Sequence, residues 1–275
     1  MTIKQTVKKY ANRLKDITHI PSKEIEILIM HLLDKNVIWL HLNHNIEFTK
    51  EKELEKLVNL REKNYPLEYL TNKVSFYGEQ FYINEGVLIP RPETEILIEK
   101  VLEVQKNDNC IYNVLEIGTG SGIISVMLAL LIEDIKIIAV DINEKALQLA
   151  QQNAKKHGVE DKIEFRLSNL FENVLEDSFD LVVSNPPYIA NSYKLPANVK
   201  HEPSNALFGG EIGDELLKKI ITQCSKKDIS YLMCEMGYDQ KKPLEEYFKS
   251  FDLEYLDFYK DYENFDRGFV TKFKN

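Results

Sequence analysis

From residue 112 to the end of the chain, short apolar segments typical of strands alternate with segments whose apolar residues recur at helical spacing. Because successive β–α–β units place their strands parallel and cover both faces of a sheet with helices, this alternation predicts an α/β fold built on a mostly parallel sheet. The last two strands have no helix between them, so we expect one of them to be antiparallel. The predicted elements are strands at 114–117, 136–140, 162–167, 179–184, 231–236, 253–259 and 268–272, with helices at 123–131, 144–157, 212–224 and 240–251.

The first 72 residues differ from the rest of the chain in both pattern and charge. Their apolar positions recur at helical spacing, which predicts a small all-α domain at 1–72. This segment has 12 basic and 10 acidic residues, a net charge of +2, whereas the remainder has 23 and 34, a net charge of −11. Apolar residues on both sides of Gly78 predict a β-hairpin linker at 73–92. We assign 93–275 to the α/β domain.

Composition excludes several classes of protein. A net charge of −9 argues against a protein held on nucleic acid mainly by phosphate contacts. The three cysteines, Cys110, Cys224 and Cys234, lie far apart and make no disulfide framework, which favours a reducing compartment. The N-terminus lacks an apolar signal-peptide core, no apolar run is long enough for a membrane span, and the six histidines have no metal-binding spacing. We therefore expect a cytoplasmic protein with no membrane segment and no metal site.

A glycine-rich loop joins the first predicted strand of the α/β domain to the helix that follows it. The loop consists of Gly118, Thr119, Gly120, Ser121 and Gly122, and Glu116 precedes it. Asp141 ends the next strand, where a carboxylate can accept hydrogen bonds from both hydroxyls of a ribose. The spacing is G-x-G-x-G rather than the G-x-G-x-x-G of dinucleotide sites, which favours a nucleoside ligand without a pyrophosphate, such as S-adenosylmethionine. A loop that serves only packing is the alternative.

The tetrapeptide Asn185, Pro186, Pro187 and Tyr188 follows the strand at 179–184. Ligands in open α/β sheets bind beyond the carboxyl ends of the strands, so this position suits a reaction site. An amide nitrogen is a poor nucleophile because its lone pair is delocalised. Two acceptors, the Asn185 side-chain oxygen and the Pro186 carbonyl, would favour the pyramidal and more reactive nitrogen, and Tyr188 offers a flat face to a planar group. A proline-rich turn without a catalytic role is the alternative.

Together these residues resemble the class I S-adenosylmethionine-dependent methyltransferases that act on amino nitrogens. Further segments make the chain similar to one family, the peptide chain release factor N5-glutamine methyltransferases (PrmC/HemK). They lie at 66–70, 76–81, 88–95 and 202–210.

The resemblance implies a Rossmann-like, seven-stranded methyltransferase domain after the helical domain and the hairpin. It implies methyl transfer from S-adenosylmethionine to the side-chain nitrogen of the glutamine in the Gly-Gly-Gln motif of release factors. By the same resemblance, the glycine loop holds the methionine arm of the cofactor, Asp141 its ribose, and Asn169 and Leu170 its adenine. Asn185 and the residues up to Tyr188 hold the glutamine, and Asn185 also contacts the cofactor. Asn169 stands where the family commonly has Asp.

Three other functions remain open from the sequence. A sister enzyme could methylate a glutamine of a ribosomal protein, and adenine N6-methyltransferases of nucleic acids use the same tetrapeptide. The net negative charge of the chain argues against a nucleic-acid substrate. A cofactor-holding module that recruits a release factor without turnover is a non-enzymatic alternative, which the intact tetrapeptide disfavours. No His or Cys lies beside the tetrapeptide, so we expect catalysis by positioning and hydrogen bonding.

Overall fold

The computed structural model describes residues 1–175 and 177–274. The chain divides into two compact units. We call the first, which comprises Met1–Lys73 and Leu195–His201, the helical unit. The second, the sheet unit, comprises Val74–Lys194 and the described residues from Glu202 onward. Within the described residues, no helix is both long enough and apolar enough to cross a membrane.

The helical unit packs its amphipathic helices around a core of aliphatic residues. Its first helix is capped by Thr2, whose side chain accepts from the backbone of Gln5 while the Gln5 side chain accepts from Thr2. Leu28 on the second helix and Leu54 on the fourth are fully buried in the shared core. The helices are α1 (Ile3–Ala11), α2 (Pro21–Leu33), α3 (Val37–Leu42), α4 (Glu51–Arg61) and α5 (Leu67–Thr71).

The sheet unit is an α/β structure whose main sheet has seven strands, as the sequence predicts. A two-stranded hairpin, β1 (Lys73–Phe76) and β2 (Glu79–Tyr82), comes first along the chain and forms at the expected place around Gly78. The later elements are α6 (Thr94–Asp108), β3 (Asn113–Ile117), α7 (Ile123–Leu131), β4 (Lys136–Asp141), α8 (Glu144–His157), β5 (Ile163–Leu167), β6 (Leu181–Ser184), β7 (Ile189–Ala190), β8 (Phe208–Gly210), α9 (Glu215–Cys224), β9 (Tyr231–Glu235), α10 (Lys241–Phe248), β10 (Leu253–Lys260) and β11 (Asp266–Phe273).

The strand order of the main sheet is β10-β11-β9-β6-β3-β4-β5. β3 pairs in parallel with β4 on one side and with β6 on the other. The chain first adds β4 and β5 on one side of β3 and then β6 and β9 on the other, so the strand order reverses at β3. β11 is antiparallel to both of its neighbours, which confirms the expected antiparallel strand near the C-terminus. The reversal leaves a crevice at the carboxyl ends of β3, β4 and β6, where ligands bind in such sheets.

The helices expected at 212–224 and 240–251 are both shorter than predicted, and the second ends at Phe248. The helix expected at 212–224 begins at Glu215, because the Glu215 carboxylate accepts from the backbone N–H groups of Ile212 and Gly213 and closes a turn ahead of the helix. The short parallel pair β7 and β8 was not predicted, since strands of two and three residues carry no readable alternation.

Candidate functional site

A cavity of about 200 Å³ lies at the carboxyl ends of β3, β4 and β6. The structure brings together around it eight of the nine residues predicted to bind the cofactor. Among the described residues that line the cavity none is Lys or Arg, whereas two are acids, Glu116 and Asp141. This lining suits a ligand that lacks phosphate and carries positive charge. The predicted residues in the lining are Gly118, Thr119, Gly120, Ser121, Asp141, Asn169, Leu170 and Asn185.

The glycine loop is fixed to the end of β4 by its backbone. Gly118 and Thr119 both donate to the Val140 carbonyl, at 2.8 and 3.0 Å, and Gly120 donates to Asp141 Oδ2 at 2.9 Å. A Cβ added to Gly118 would meet no atom within 4 Å, so a ligand in the cavity can approach this part of the backbone closely.

Gly122 lies behind the loop and faces α8 instead of the cavity. A Cβ at this position would lie 2.8 Å from the Cβ of Ala150, closer than two carbons can pack. Gly122 also has a positive φ of 80° at the start of α7. Its geometry therefore assigns it to the close approach of α7 and α8, and a cofactor contact at Gly122 stays a prediction.

Glu116 is a buried acid at the end of β3 with one oxygen satisfied and one not. Its Oε2 accepts from Thr119 Oγ1 at 2.7 Å, from the Ser125 backbone N–H at 3.2 Å, and from the Ser125 hydroxyl. Its Oε1 has no hydrogen-bond partner among the described residues. Burial raises the pKa of Glu116 to about 7. A buried carboxylate oxygen without a partner, on the wall of a cavity, is suited to receive a cationic group.

Asp141 ends β4 with both carboxylate oxygens directed by backbone donors. Gly120 donates to Oδ2, and Asn143 donates to Oδ1 at 2.9 Å. Burial raises the pKa of Asp141. Because each carboxylate oxygen can accept more than one hydrogen bond, Asp141 retains acceptor capacity toward hydroxyl groups in the cavity. Asn143 also caps α8, since its side-chain oxygen accepts from the backbone N–H of Lys145.

Asn169 and Leu170 lie on a tight turn after β5. The Ser168 hydroxyl donates to the Leu170 carbonyl at 3.0 Å and accepts from the Asn173 N–H at 3.0 Å, which holds the turn. The Asn169 side-chain nitrogen is engaged by Glu172 at 3.0 Å. The turn therefore presents an amide oxygen and an apolar side chain at the cavity, groups suited to a flat heterocycle.

The tetrapeptide Asn185–Tyr188 directly follows the end of β6, at the rim of the cavity. Asn185 and Pro187 line the cavity, whereas Pro186 is buried. Asn185 Nδ2 donates to Thr94 Oγ1 at 3.0 Å. The Tyr188 hydroxyl donates to Glu235 Oε1 at 3.0 Å, and burial next to this acid raises the pKa of Tyr188, which keeps the phenol neutral.

An ion pair between a partly exposed arginine and a buried acid joins two segments that are distant in sequence. Arg91 Nη2 lies 2.5 Å from Glu202 Oε1, and Glu202 Oε2 accepts from the Ile89 backbone at 3.1 Å. The pair holds Pro90 and Pro203 in the cavity wall. The partner of Arg91 is thus Glu202, 111 positions further along the chain, and not the neighbouring Glu93 or Glu95.

Sequence reasoning missed Thr94 and Glu235 as residues of the site. The sequence does contain a signal that could have identified Glu235, because it is the one acid in the otherwise apolar predicted strand at 231–236. An acid in a buried strand needs hydrogen-bond partners, and at the carboxyl end of a strand those partners lie beside the ligand crevice.

Comparisons with known proteins agree with this geometry. Residues 5–71 match the model of the PrmC N-terminal domain, and residues 92–202 match that of the methyltransferase small domain. A release factor glutamine methyltransferase of Dictyoglomus turgidum is 38% identical over 93% of this chain and 93% of its own length. One of Aquifex aeolicus is 35% identical over 96% and 95%.

The chain belongs to the release factor glutamine methyltransferase family. The predicted family is thereby confirmed, and with it the enzyme class and the methyl donor: the chain is an S-adenosylmethionine-dependent methyltransferase. The helical unit contains the whole of the N-terminal match, and the glycine loop, Asp141 and Asn185 all lie within the second match.

Solved structures confirm the predicted fold class. The human METTL16 catalytic domain in complex with MAT2A 3′UTR hairpin 6 has a TM-score of 0.60 at 18% identity and covers 81% of each chain. The N-terminal domain of human METTL16 in complex with SAH has a TM-score of 0.56 at 18% identity, over 90% of this chain and 94% of that one. At this identity the likeness shows a shared class I methyltransferase fold and nothing of the substrate.

The residues around the cavity fit S-adenosylmethionine. The unpartnered Oε1 of Glu116 is an acceptor for a cationic amino group, and Asp141 is an acceptor for hydroxyls. The open side of Gly118 leaves room for a chain of atoms against the loop. The cavity thus offers complementary groups to the amino-acid arm and to the ribose of this cofactor.

Proposed function

We propose that this enzyme methylates the side-chain amide nitrogen of a glutamine in the Gly-Gly-Gln motif of a peptide chain release factor. The observation that carries the proposal is the similarity to release factor glutamine methyltransferases along nearly the whole chain. Release factors are the partners, and the cytoplasm, where translation ends, is the compartment. No nucleic-acid substrate is included, since the similarity to METTL16 extends to the fold alone.

The geometry of the cavity supports the following proposal for the cofactor half of the site. Glu116 Oε1 receives the amino group of the methionine arm, which runs along Gly118, Thr119, Gly120 and Ser121. Asp141 accepts from the ribose hydroxyls, and the turn that carries Asn169 and Leu170 packs against adenine. When bound, S-adenosylmethionine supplies an electrophilic methyl carbon, whose bond to sulfur breaks as its bond to the amide nitrogen forms.

The substrate half is built on the tetrapeptide. Asn185 Oδ1 and the Pro186 carbonyl accept the two N–H groups of the glutamine amide, and Tyr188 packs against its plane. These acceptors favour the pyramidal nitrogen of the transition state over the planar amide, so they act more strongly in the transition state than in the ground state. The proton released from nitrogen passes to water. Holding nitrogen and methyl carbon in line supplies roughly 7–11 kcal/mol of the barrier reduction.

The helical unit docks the protein substrate in this proposal. α3 exposes aliphatic side chains to solvent, with Ile38 67% and Leu42 81% accessible. Such exposure on consecutive turns of one helix is typical of a protein-binding surface.

An Ile38→Glu/Leu42→Glu double variant should raise KM for the release factor at least tenfold while leaving the affinity for S-adenosylhomocysteine unchanged. Leu60→Glu, at a half-exposed position on α4, is the matched control. An unchanged KM would remove α3 from the docking surface.

The decisive experiment is incubation of the enzyme with labelled S-adenosylmethionine and purified release factor, followed by mass mapping of the modified peptide. Label on the glutamine of the Gly-Gly-Gln motif is the expected result, and a release factor with Ala in place of that glutamine is the control. Asn185→Ala should lower turnover about a hundredfold to a thousandfold and leave a residual activity that can be measured. Label that appears only on a ribosomal protein, or only on nucleic acid, in matched incubations would overturn the release factor as substrate.

A further inference from the structure

Glu235 is an acid enclosed by the protein, at the end of the strand β9. Only 1% of the residue is accessible to solvent, and the four residues before it, from Tyr231 to Cys234, are buried as well. Desolvation raises the pKa of Glu235, while the positive charge of Arg267 opposes the rise. Arg267 itself is paired with Asp261 at 2.8 Å. Burial of a carboxylate is costly, so its hydrogen-bond partners indicate what it does.

Both oxygens of Glu235 hold a side chain that leads to the tetrapeptide. Oε2 accepts from Thr94 Oγ1 at 2.7 Å, and Oε1 accepts from the Tyr188 hydroxyl at 3.0 Å. Thr94, which is 1% accessible, in turn accepts from Asn185 Nδ2 at 3.0 Å. A chain of three hydrogen bonds thus connects the two polar side chains of the tetrapeptide through one carboxylate.

The direction of each hydrogen bond in this chain is fixed by the number of protons available. Both oxygens of Glu235 accept from hydroxyl groups, as in an ionised carboxylate, so Thr94 gives its single hydroxyl proton to Glu235. Thr94 then has only lone pairs for Asn185, so Asn185 must present its NH₂ group to Thr94 and keep its oxygen on the other side. Among the described residues, no group donates to Asn185 Oδ1. The carboxylate therefore decides which end of the amide stays available as an acceptor.

We infer that Glu235 and Thr94 are positioning residues that orient the Asn185 amide, so that its oxygen rather than its nitrogen meets the substrate amide. This inference rests on the proposed function of Asn185 and extends it to Glu235, which is enclosed by the protein, and to Thr94, which acts through Asn185. The same carboxylate holds the Tyr188 hydroxyl, and Gln240 Nε2 holds the Tyr188 carbonyl at 2.9 Å. Without the network the Asn185 amide can rotate and place donors where the substrate also has donors.

Three substitutions test the direction of the hydrogen bonds. Thr94→Val removes the hydroxyl and keeps the shape, and should lower kcat about tenfold to a hundredfold, the usual range for a misplaced catalytic group. Thr94→Ser keeps the hydroxyl and should restore kcat to within about threefold of wild type. Glu235→Gln adds a donor, which lets the Thr94 hydroxyl turn to Asn185 Oδ1 and occupy it, so kcat should fall at least as far as in Thr94→Val.

Thr271→Val is the matched control, because Thr271 is equally buried but donates its hydroxyl to the Tyr255 carbonyl in the sheet, at 3.0 Å. It should lose stability without loss of kcat. In all variants the affinity for S-adenosylhomocysteine, measured by calorimetry, should stay within about twofold of wild type, since the changes keep the shape of the cavity wall and the hydrogen bonds of Thr94 and Glu235 run to each other and to the tetrapeptide. A merely structural role for Thr94 would lower the folded fraction and leave kcat per folded enzyme unchanged.

A double-mutant cycle with Asn185→Ala separates this inference from the proposed function. If Thr94 acts through Asn185, Thr94→Val should have less than a twofold further effect on residual activity in the Asn185→Ala background. Full kcat in folded Thr94→Val or Glu235→Gln, or independent additive losses in the cycle, would overturn the positioning role. If Thr94→Val does not fold, Thr94→Ser and Glu235→Gln decide alone. Absence of methylation by the wild-type enzyme would instead overturn the proposed function.

Discussion

Replacement of Gly122 by alanine tests the interpretation that this residue of the glycine loop serves packing. Two effects add in Gly122→Ala. The residue has φ of 80°, and an L-residue in this left-handed region costs about 1–2 kcal/mol. The new Cβ would also lie 2.8 Å from the Cβ and 3.0 Å from the Cα of Ala150, and such overpacking costs about 1–3 kcal/mol. We expect a loss of about 2–5 kcal/mol in the free energy of unfolding.

Gly158→Ala is the matched control because it isolates the backbone effect. Gly158 has φ of 69° at the end of α8, and its added Cβ would meet no atom within 4 Å. This variant should lose only about 1–2 kcal/mol. The difference between the two variants then measures the contact of α7 with α8.

Urea denaturation followed by far-UV circular dichroism is the appropriate assay. The single tryptophan, Trp39, lies on α3 in the helical unit, so its fluorescence does not report on the loop. Removal of the opposing methyl group in a Gly122→Ala/Ala150→Gly double variant should recover about 1 kcal/mol relative to the sum of the single losses. Equal stability of Gly122→Ala and Gly158→Ala, or strict additivity in the double variant, would refute the packing role.

Three further predictions concern the cavity. S-adenosylhomocysteine should bind about fivefold more weakly at pH 6 than at pH 7, because its cationic amino group needs the ionised form of Glu116, whose pKa burial raises to about 7; calorimetry on Glu116→Gln should show no such dependence. Asp141→Ala should weaken binding of the same ligand about tenfold to a hundredfold, as charged hydrogen bonds are lost; an unchanged Kd would contradict the ribose assignment. Arg91→Ala should destabilise the enzyme by about 1–3 kcal/mol in urea denaturation, because it leaves the buried Glu202 carboxylate without its cation. The loss is moderate because the Arg91 side chain is partly exposed to solvent. A neutral result would show that water replaces the guanidinium.

The sequence predicted those parts of the fold that depend on periodic local patterns. The helix Ile123–Leu131 and the helix Glu144–His157, with its cap at Asn143, have the predicted limits, because apolar spacing and capping residues act within a few positions. The start of α9 was placed three residues too early, since the apolar Ile212 continues the helical pattern while the Glu215 carboxylate binds the preceding turn. Such a side-chain to backbone bond competes with the helix and leaves no periodic signal.

The residues of the site also fall into those that local sequence patterns predict and those that they do not. The glycine loop and Asp141 could be placed from the sequence, because each follows directly from the end of a predicted strand. The partners Arg91 and Glu202 are 111 positions apart, and Thr94 and Glu235 are 141 apart. Pairing over such distances depends on the order of the strands, which local patterns do not determine. Sequence reasoning therefore found the residues expected to touch ligands and missed those that hold them.

The two buried acids of the site differ in a way that agrees with their proposed roles. Glu116 keeps one oxygen without a partner among the described residues, whereas both oxygens of Glu235 accept from side chains. A buried acceptor without a partner is costly, and the cost is recovered when a cation binds to it. An acid with both oxygens satisfied gains nothing from a ligand and instead fixes its neighbours. By this reasoning, loss of Glu116 should be felt in cofactor affinity and loss of Glu235 in turnover, although both acids are almost completely buried.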